Sequence, residues 1–242
     1  MNRATATTAS TASRLVRFLT ELDVTQARVS HKHFADKLGK LVDLSDAFTL
    51  SDELRSLPRL TFEPATTQPG NIKAQFLQAR SQMVENIIRS FVPDAVSMPF
   101  NLPLPDAEPQ AEKNSAFEPY LRLYATHQSE LEFRIIKLRG QVRQALAGVS
   151  RELAQLVALD TALGDTLAGE TRRLLAVIPR LLGKRFHFLQ ARSTNNDEAS
   201  PDGWLQQFYT EMQGLLLAEL ELRLQPVVGL IEALDEEEER KR

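Results

Sequence analysis

The sequence predicts an all-α protein: an elongated antiparallel helical bundle with coiled-coil-like long helices and proline-rich connectors. Three observations support this prediction. Apolar residues recur at three- and four-residue spacing along most of the 242 residues, which is the period of one helix face. Runs of alternating β-branched residues are few, and the chain has only 10 glycines. Most of its 12 prolines fall into two stretches, which cannot be continuous helix because proline lacks an N–H donor.

Composition and charge exclude several classes of protein. With 43% hydrophobic residues the chain can bury a core of its own. It has no cysteine, which excludes disulfides, thiol nucleophiles and cysteine-based zinc sites. The 29 Lys and Arg against 32 Asp and Glu give a formal charge of -3, so no overall field attracts the chain to DNA or to an anionic membrane. Charges interrupt every apolar run, so we expect no membrane span and a cytoplasmic location.

The prolines and the charge pattern divide the chain into five regions. We expect a disordered leader at 1–12, an N-terminal helical region at 13–92, a proline-rich linker at 93–114, a helical bundle at 115–234 and a charged tail at 235–242. The leader lacks the apolar segment of a secretory signal peptide, and we favour disorder over the organellar transit peptide that its composition also resembles. The acidic run near the end opposes the helix macrodipole, so a tail is favoured over a frayed helix end.

The N-terminal region contains three amphipathic segments. One runs from Leu15 to Leu22, and another follows Ser30, a plausible N-cap. The third runs from about Ile72 to Phe91. The apolar stripe predicted for the second segment consists of Phe34, Leu38, Leu41, Val42, Ser45 and Phe48, and that of the third of Phe76, Met83, Ile87 and Phe91.

The strongest pattern is a heptad seam that begins after Ser115 and Glu118, which have capping-box spacing. Gln128 is the polar member of the seam, and such a residue more often fixes helix register than carries chemistry. The pattern pauses near Gly148 and Ser150, so the next helix should run antiparallel. The first part of the seam comprises Phe117, Leu121, Tyr124, Gln128, Leu131, Ile135, Leu138, Val142, Ala145 and Val149, and the second comprises Leu153, Leu156, Leu159, Leu163 and Leu167.

Two further helical segments complete the predicted bundle. The first covers 171–192 and should be broken or kinked at Pro179, with Leu175, Ile178, Leu182, Phe186 and Leu189 on its apolar face. The second begins with the cap sequence Ser200-Pro201-Asp202 and passes through Trp204, Phe208, Met212 and the leucines at 215–217. We expect Pro226 to kink or end it.

No enzyme signature is present, so we expect a non-enzymatic protein with no catalytic residue, cofactor or metal ligand that the sequence can identify. The four histidines, His31, His33, His127 and His187, lack the i,i+4 spacing of helical metal ligands. The carboxylate pairs Asp43 with Asp46 and Glu130 with Glu132 are expected to be solvated and balanced by Lys37, Lys40 or Arg134. No phosphate-binding loop or nucleophile elbow occurs, although an enzyme site assembled from distant residues remains an alternative.

The charge segregation near the C-terminus provides the one candidate binding site. Residues 171–192 contain six Lys and Arg and no acid, whereas the following segment is acidic. On a continuous helix, Arg173, Arg180 and Lys184 would form a basic ridge opposite the apolar stripe. Three interpretations stay open: pairing within the molecule to Glu211, Glu219, Glu221 or Glu232, docking of an acidic partner surface, or binding of nucleic-acid phosphates.

Four segments resemble a known bacterial family of proteins of unknown function, the domain of unknown function 3348 family. They are SHKHFADKLGKLVDLSDAFTLS at 30–51, YLRLYATHQSELEFRI at 120–135, LLAVIPRLLGKRFHFL at 174–189 and LLLAELELRLQPVVGLIEAL at 215–234. The resemblance supplies no activity, substrate or catalytic residue. Genes of this family are associated with genes for a membrane protein and an envelope-anchored protein of the OmpA/MotB kind, which implies a cytoplasmic accessory of a cell-envelope assembly.

The sequence therefore predicts a protein–protein interaction or scaffold protein that self-associates, with protein partners and no membrane span. The alternatives are a nucleic-acid-binding protein that uses 171–192, and an enzyme whose site is not visible in the sequence.

Overall fold

A computed structural model describes residues 14–15, 19, 44–64, 71–92, 116–194 and 203–242, and the prediction of an all-α bundle is confirmed there. No strand occurs in these ranges. The helices are α1 (Leu44–Ser56), α2 (Ile72–Ser90), α3 (Glu118–Leu146), α4 (Arg151–Leu175), α5 (Ile178–Thr194) and α6 (Gly203–Arg240). A short 3-10 helix, Leu57–Arg59, follows α1.

The bundle is organised around α3 and α6, the two longest helices. Tyr120 and Tyr209 meet near the start of both helices, with hydroxyl oxygens 3.2 Å apart, and Lys241 reaches the carbonyl oxygen of Val149 beyond their ends. The two helices therefore run parallel. The next helix runs antiparallel to α3, as predicted: Arg143 of α3 contacts Asp160 early in α4, and Gln128 contacts Leu175 at its end.

The remaining helices pack on the two sides of this central pair. On one side α4 and then α5 return along α3, because Gln128 contacts Leu175 and Phe117 contacts Gly183. On the other side α2 runs antiparallel to α6, with Lys73 at its start near Glu238. Because α6 has 38 residues, it is about 57 Å long at 1.5 Å per residue, so the bundle is elongated.

Most of the predicted apolar faces form the core, but in the second part of the seam only Leu153 is buried, and Leu156, Leu159, Leu163 and Leu167 are half-buried. Leu131, Ile135, Leu138 and Val142 of the seam are all buried. The predicted stripes of α2 and α5 are also inside, apart from Phe91, which is half-buried. An aromatic cluster closes the end of the bundle where α3 and α6 begin, and its rings belong to Phe117, Tyr120, Phe186, Trp204, Phe208 and Tyr209.

Of the two outcomes predicted at Pro226, a kink or an end of the helix, the structure excludes the end, because the last helix continues through Pro226 to Arg240. Pro226 faces solvent, so water can bond the carbonyl that lacks an N–H partner, while buried Leu224 and Val227 hold the helix on both sides. Residues 235–240 are thus helical rather than a tail. Glu237 is buried and pairs with Arg240 and Lys241, which offsets the unfavourable macrodipole.

Two local predictions were also inaccurate, and others cannot be compared. Phe48, predicted to face inward, is 65% exposed on α1. The break predicted at Pro179 occurs two residues earlier, at 176–177, because proline is readily accommodated in a first helical turn. The leader, the proline-rich linker and the caps at Ser30, Ser115 and 200–202 lie outside the described residues. None of the described helices is long and apolar enough to cross a membrane.

We expect Pro226→Ala to raise the free energy of unfolding, by up to about 3 kcal/mol, because alanine restores the missing backbone hydrogen bond within a continuous helix. Urea denaturation followed by circular dichroism measures the change. Gln225→Ala, at the neighbouring exposed position, is the control and should change stability little. A loss of stability on Pro226→Ala would contradict the destabilising effect of Pro226 on α6.

Candidate functional site

The structure divides the predicted basic ridge between two helices. Arg173 lies near the end of α4, whereas Arg180 and Lys184 lie on α5 beyond the helix break. Arg173 bonds Glu170 of its own helix, with Nη1 and Oε1 3.2 Å apart. The expectation of one continuous ridge of three cations was therefore wrong, because residues 171–192 are not a single helix.

Arg180 and Lys184 instead belong to an exposed row on α5 that continues through Phe188 and Arg192 at four-residue spacing. We call these four residues the α5 face. Neither Arg180, Lys184 nor Arg192 has an ion pair with any described residue. Residues four apart are neighbours on a helix surface, so the three cations and the phenyl ring form one strip.

Three of the four acids predicted to neutralise the ridge are engaged elsewhere, and the fourth, Glu232, is exposed on α6. Glu211 holds Arg185 through two hydrogen bonds of 2.8 and 2.7 Å, and Glu219 pairs with Arg223. Glu221 pairs with Arg14. The inward-facing Arg185 thus satisfies Glu211, and its guanidinium carbon lies 5.5 Å from the centre of the Phe188 ring.

A buried polar network lies halfway along the bundle, around the fully buried carboxylate of Glu219 on α6. Tyr124 donates its hydroxyl hydrogen to this carboxylate at 3.0 Å. Gln128 donates to it at 2.9 Å and to the Leu175 carbonyl at 3.2 Å. Arg223 supplies the balancing charge, with Nε 2.8 Å from Oε1 of Glu219. Gln128 therefore links three helices, as expected of a polar seam residue.

Glu132 of α3 connects the buried network to an ion pair at the protein surface. Its carboxylate lies 2.6 Å from Nε of Arg172 and 3.9 Å from Nη1 of Arg223. Burial raises the pKa of Tyr124 well above its usual value, and the charge and hydrogen bond of Glu219 act in the same direction. Tyr124 is thus a fixed hydrogen-bond donor. Because each of these groups is already bonded and Glu219 is inaccessible, the network holds helices together rather than binding a ligand.

A serine and a histidine are in contact between α2 and α3. The Ser90 hydroxyl lies 2.8 Å from Nε2 of His127 and 2.8 Å from the Ile87 carbonyl oxygen. The hydroxyl has one hydrogen, so both contacts are hydrogen bonds only if it donates to the carbonyl and accepts from Nε2–H. His127 then cannot act as a base toward Ser90. Both residues are buried, which also keeps a substrate away.

Two arginines share one carboxylate between α3 and α4. Arg139 and Arg143 each donate Nε–H to Asp160, at 2.8 and 2.7 Å, and each also bonds its main-chain carbonyl. Burial would raise the pKa of Asp160, but the hydrogen bonds and charges of the two arginines hold it below its usual value. Gly164 gives them room, since a Cβ there would lie 3.0 Å from Nη2 of Arg143. The sequence did not indicate this cluster.

The other candidate residues do not converge. His31, His33 and Asp43 are outside the described residues, and His187 packs its ring against Phe117 and Phe186. Glu130 pairs with Arg134, as predicted, and Glu132 belongs to the network above. No group of three or more potential metal ligands occurs in the described ranges.

We expect Glu219→Ala to lower the free energy of unfolding by about 3 kcal/mol, because it removes the nearer partner of the buried Arg223 and leaves only Glu132, 3.9 Å away. Chemical denaturation at neutral pH measures the loss. The control is Glu232→Ala, an exposed glutamate on the same helix that should change stability by less than about 0.5 kcal/mol. Equal effects of the two substitutions would contradict the burial of Glu219.

His127 makes stability depend on pH. Burial lowers its pKa from 6.5 to about 4, although the charge of Glu130 acts in the opposite direction. Between these values the unfolded chain binds a proton that the folded chain does not, so this stabilisation is complete above pH 6.5 and is lost as the pH falls toward 4. We expect a loss of about 3 kcal/mol from this residue.

The measurement is denaturation between pH 7 and pH 4 for the wild type and for His127→Gln, which cannot titrate in this range. We expect a flatter pH profile for His127→Gln than for the wild type. Identical profiles for the wild type and His127→Gln would show that His127 is not buried in its neutral form.

Comparison with known proteins identifies the family. Proteins of unknown function of the DUF3348 family match residues 1–236 of the chain. Neither the curated proteins nor the solved structures contain a match. Because the match covers nearly the whole sequence, the chain belongs to the DUF3348 family.

Proposed function

We propose that this chain is a non-enzymatic protein–protein interaction or scaffold protein that binds an acidic surface of a partner protein through the α5 face. The observation that carries the proposal is the unneutralised charge of Arg180, Lys184 and Arg192, none of which has an acidic partner among the described residues. The exposed Phe188 lies in the same row.

The chemistry of the α5 face suits a protein partner. Phe188 is 55% exposed, and Arg185 beside its ring is anchored by Glu211. Aromatic and arginine side chains are enriched at protein interfaces, where the ring supplies buried area and the cations select acidic partners. Because the cations are already exposed, their pairing at the rim of an interface needs little desolvation. Charge complementarity is therefore expected to accelerate association more than to increase affinity.

Nucleic-acid binding is the second candidate, because phosphates would fit the same three cations. Two observations make it less favourable. Arg173 is separated from the row and bonds Glu170, and Phe186 is buried, which leaves Phe188 as the exposed ring for base stacking on this helix. Such binding would weaken steeply with added salt.

An enzyme function receives less support from the described residues. The serine and histidine that are in contact, Ser90 and His127, are both buried, and the second contact of the Ser90 hydroxyl, to the Ile87 carbonyl, competes with donation to His127. The expectation that the partner belongs to a cell-envelope assembly, with this chain on its cytoplasmic side, depends on the family resemblance alone. The proposal also includes self-association of the chain, which requires a surface other than the α5 face.

Photo-cross-linking tests the α5 face directly. Benzoylphenylalanine replaces Phe188 in the full chain, which is expressed in its source organism and irradiated. We expect cross-linked products of defined mass that are sensitive to protease and insensitive to nuclease, which indicates a protein partner. The same substitution at Phe48, a ring on α1 that is slightly more exposed than Phe188, is the control and should not give these adducts.

Charge reversal then tests the cations. Arg180→Glu with Lys184→Glu should remove the adducts, because both cations would repel an acidic partner. Arg59→Glu with Arg242→Glu makes the same change in net charge at two other exposed cations and should preserve them. Adducts that are sensitive to nuclease would favour the nucleic-acid alternative, and adducts that survive reversal of Arg180 and Lys184 would contradict the proposed site.

A further inference from the structure

Between positions 125 and 147 the outer face of α3 carries little charge, whereas the first turns of the helix carry the surface ion pair of Glu118 and Arg122. Nine residues between positions 125 and 147 are exposed, and Lys137 is the charged one among them. The outer face of α6 differs, because four of its seven exposed residues between 225 and 239 are acidic. The nine exposed residues of α3 are Ala125, Ser129, Phe133, Ile136, Lys137, Gly140, Gln141, Gln144 and Ala147.

Two large apolar side chains at the centre of this face, Phe133 and Ile136, are flanked by the small residues Ser129 and Gly140. Phe133 is 67% and Ile136 60% exposed, and the two side chains are neighbours three residues apart on one helix face. Gly140 follows one turn later, and a Cβ added there would meet no atom within 4 Å. At 100° per residue, the row from Ser129 through Ala147 stays within about 50° of one line along the helix. We call the row the α3 face: Ser129, Phe133, Ile136, Gly140, Gln144 and Ala147.

This face is complementary to itself in one orientation. If two copies of α3 cross antiparallel at the level of Leu138, Ile136 of one copy lies opposite Gly140 of the other. Ser129 then lies opposite Ala147, and Phe133 lies beside Gln144. Each large side chain meets a small or flexible one, and each contact occurs twice, as a two-fold interface requires. A parallel pairing would instead place Phe133 on Phe133 and leave a gap between the two Gly140 residues.

We propose that the α3 face binds the α3 face of a second copy of this chain, antiparallel and about a two-fold axis near Leu138. The small number of charges on the α3 face favours a second copy of the same face as its partner, because the centres of protein interfaces are depleted of charged residues. A charged partner surface would lose its hydration there without gaining an ion pair. Lys137 lies at the edge of the row, where its long side chain can keep the ammonium group in water. The proposal deepens the self-association part of the proposed function and uses no residue of the α5 face.

The size of the α3 face limits the strength of this dimer. Nine exposed residues per copy are fewer than the roughly 20–30 per side of a standard stable interface. We therefore expect weak, reversible association, with a Kd in the micromolar to millimolar range. The dimer should be populated only in concentrated solution.

Engineered disulfide bonds test the orientation, and the chain is suited to them because it has no cysteine. In the double variant Ser129→Cys with Ala147→Cys, the two substituted positions of one copy are about 27 Å apart along α3, too far to join. Antiparallel pairing brings them together between copies. We expect mild oxidation of the full-length double variant to give covalent dimers, and neither single variant to do so.

Analytical ultracentrifugation at rising protein concentration tests the interface. Gly140→Leu should leave the monomer folded and more helical, because the site has room and leucine favours helix, yet it should block Ile136 of the second copy. We expect association of Gly140→Leu and of Phe133→Ser to be weaker by about tenfold or more. Leu54→Ser, at an exposed leucine on α1, is the control and should associate as the wild type does.

Several results would overturn the proposal. A wild-type chain that stays monomeric at millimolar concentration, together with a double cysteine variant that forms no covalent dimer, would exclude the interface. Covalent dimers of Ser129→Cys alone would indicate parallel pairing, and a dimer unaffected by Gly140→Leu and Phe133→Ser would place self-association on another surface. Because these variants leave Arg180, Lys184 and Phe188 unchanged, cross-linking at position 188 would still report on the proposed partner site.

Discussion

The parallel packing of α3 against α6 is the constraint on which the other described helices depend. Burial of Leu131, Ile135, Leu138 and Val142 removes a continuous apolar strip of α3 from water, and α6 supplies much of the surface that covers it. Because α3 and α6 are parallel, the chain must lead from the end of α3 back to the start of α6, and α4 and α5 together form this connection. This explains why the return consists of two shorter segments that lie end to end along α3.

Glu219 gives this packing its specificity. Apolar side chains alone would also allow a helix to pack one turn out of register or in the reverse direction, because different leucines can fill the same space in a core. A buried carboxylate that is bonded by Tyr124, Gln128 and Arg223 permits far fewer arrangements, since any slip would leave a charge unpaired in the core. The network thus acts like a polar residue in a coiled-coil seam, which sacrifices some stability for a unique register.

The sequence predicted the fold class and the inward faces well, but not which helices meet. Periodicity identifies the buried side of α3 correctly at Leu131 and Val142, yet it carries no information on whether α6 or α4 covers that side. Glu219 was missed because a glutamate normally indicates an exposed position. Its place within the leucine-rich 215–220 segment, with Arg223 four residues later, was the available signal. The basic ridge was predicted as continuous because a proline marks a boundary only to within a few residues.

The aromatic cluster at one end of the bundle gives the protein an internal optical reporter. Trp204 is the single tryptophan of the chain, and its ring centre lies 5.2 Å from that of Phe186. Indole emission therefore senses the packing of that end, whereas the far-ultraviolet ellipticity averages over every turn of helix. Where the two signals change at different denaturant concentrations, the ends of this long molecule are losing their order separately rather than in a single concerted step.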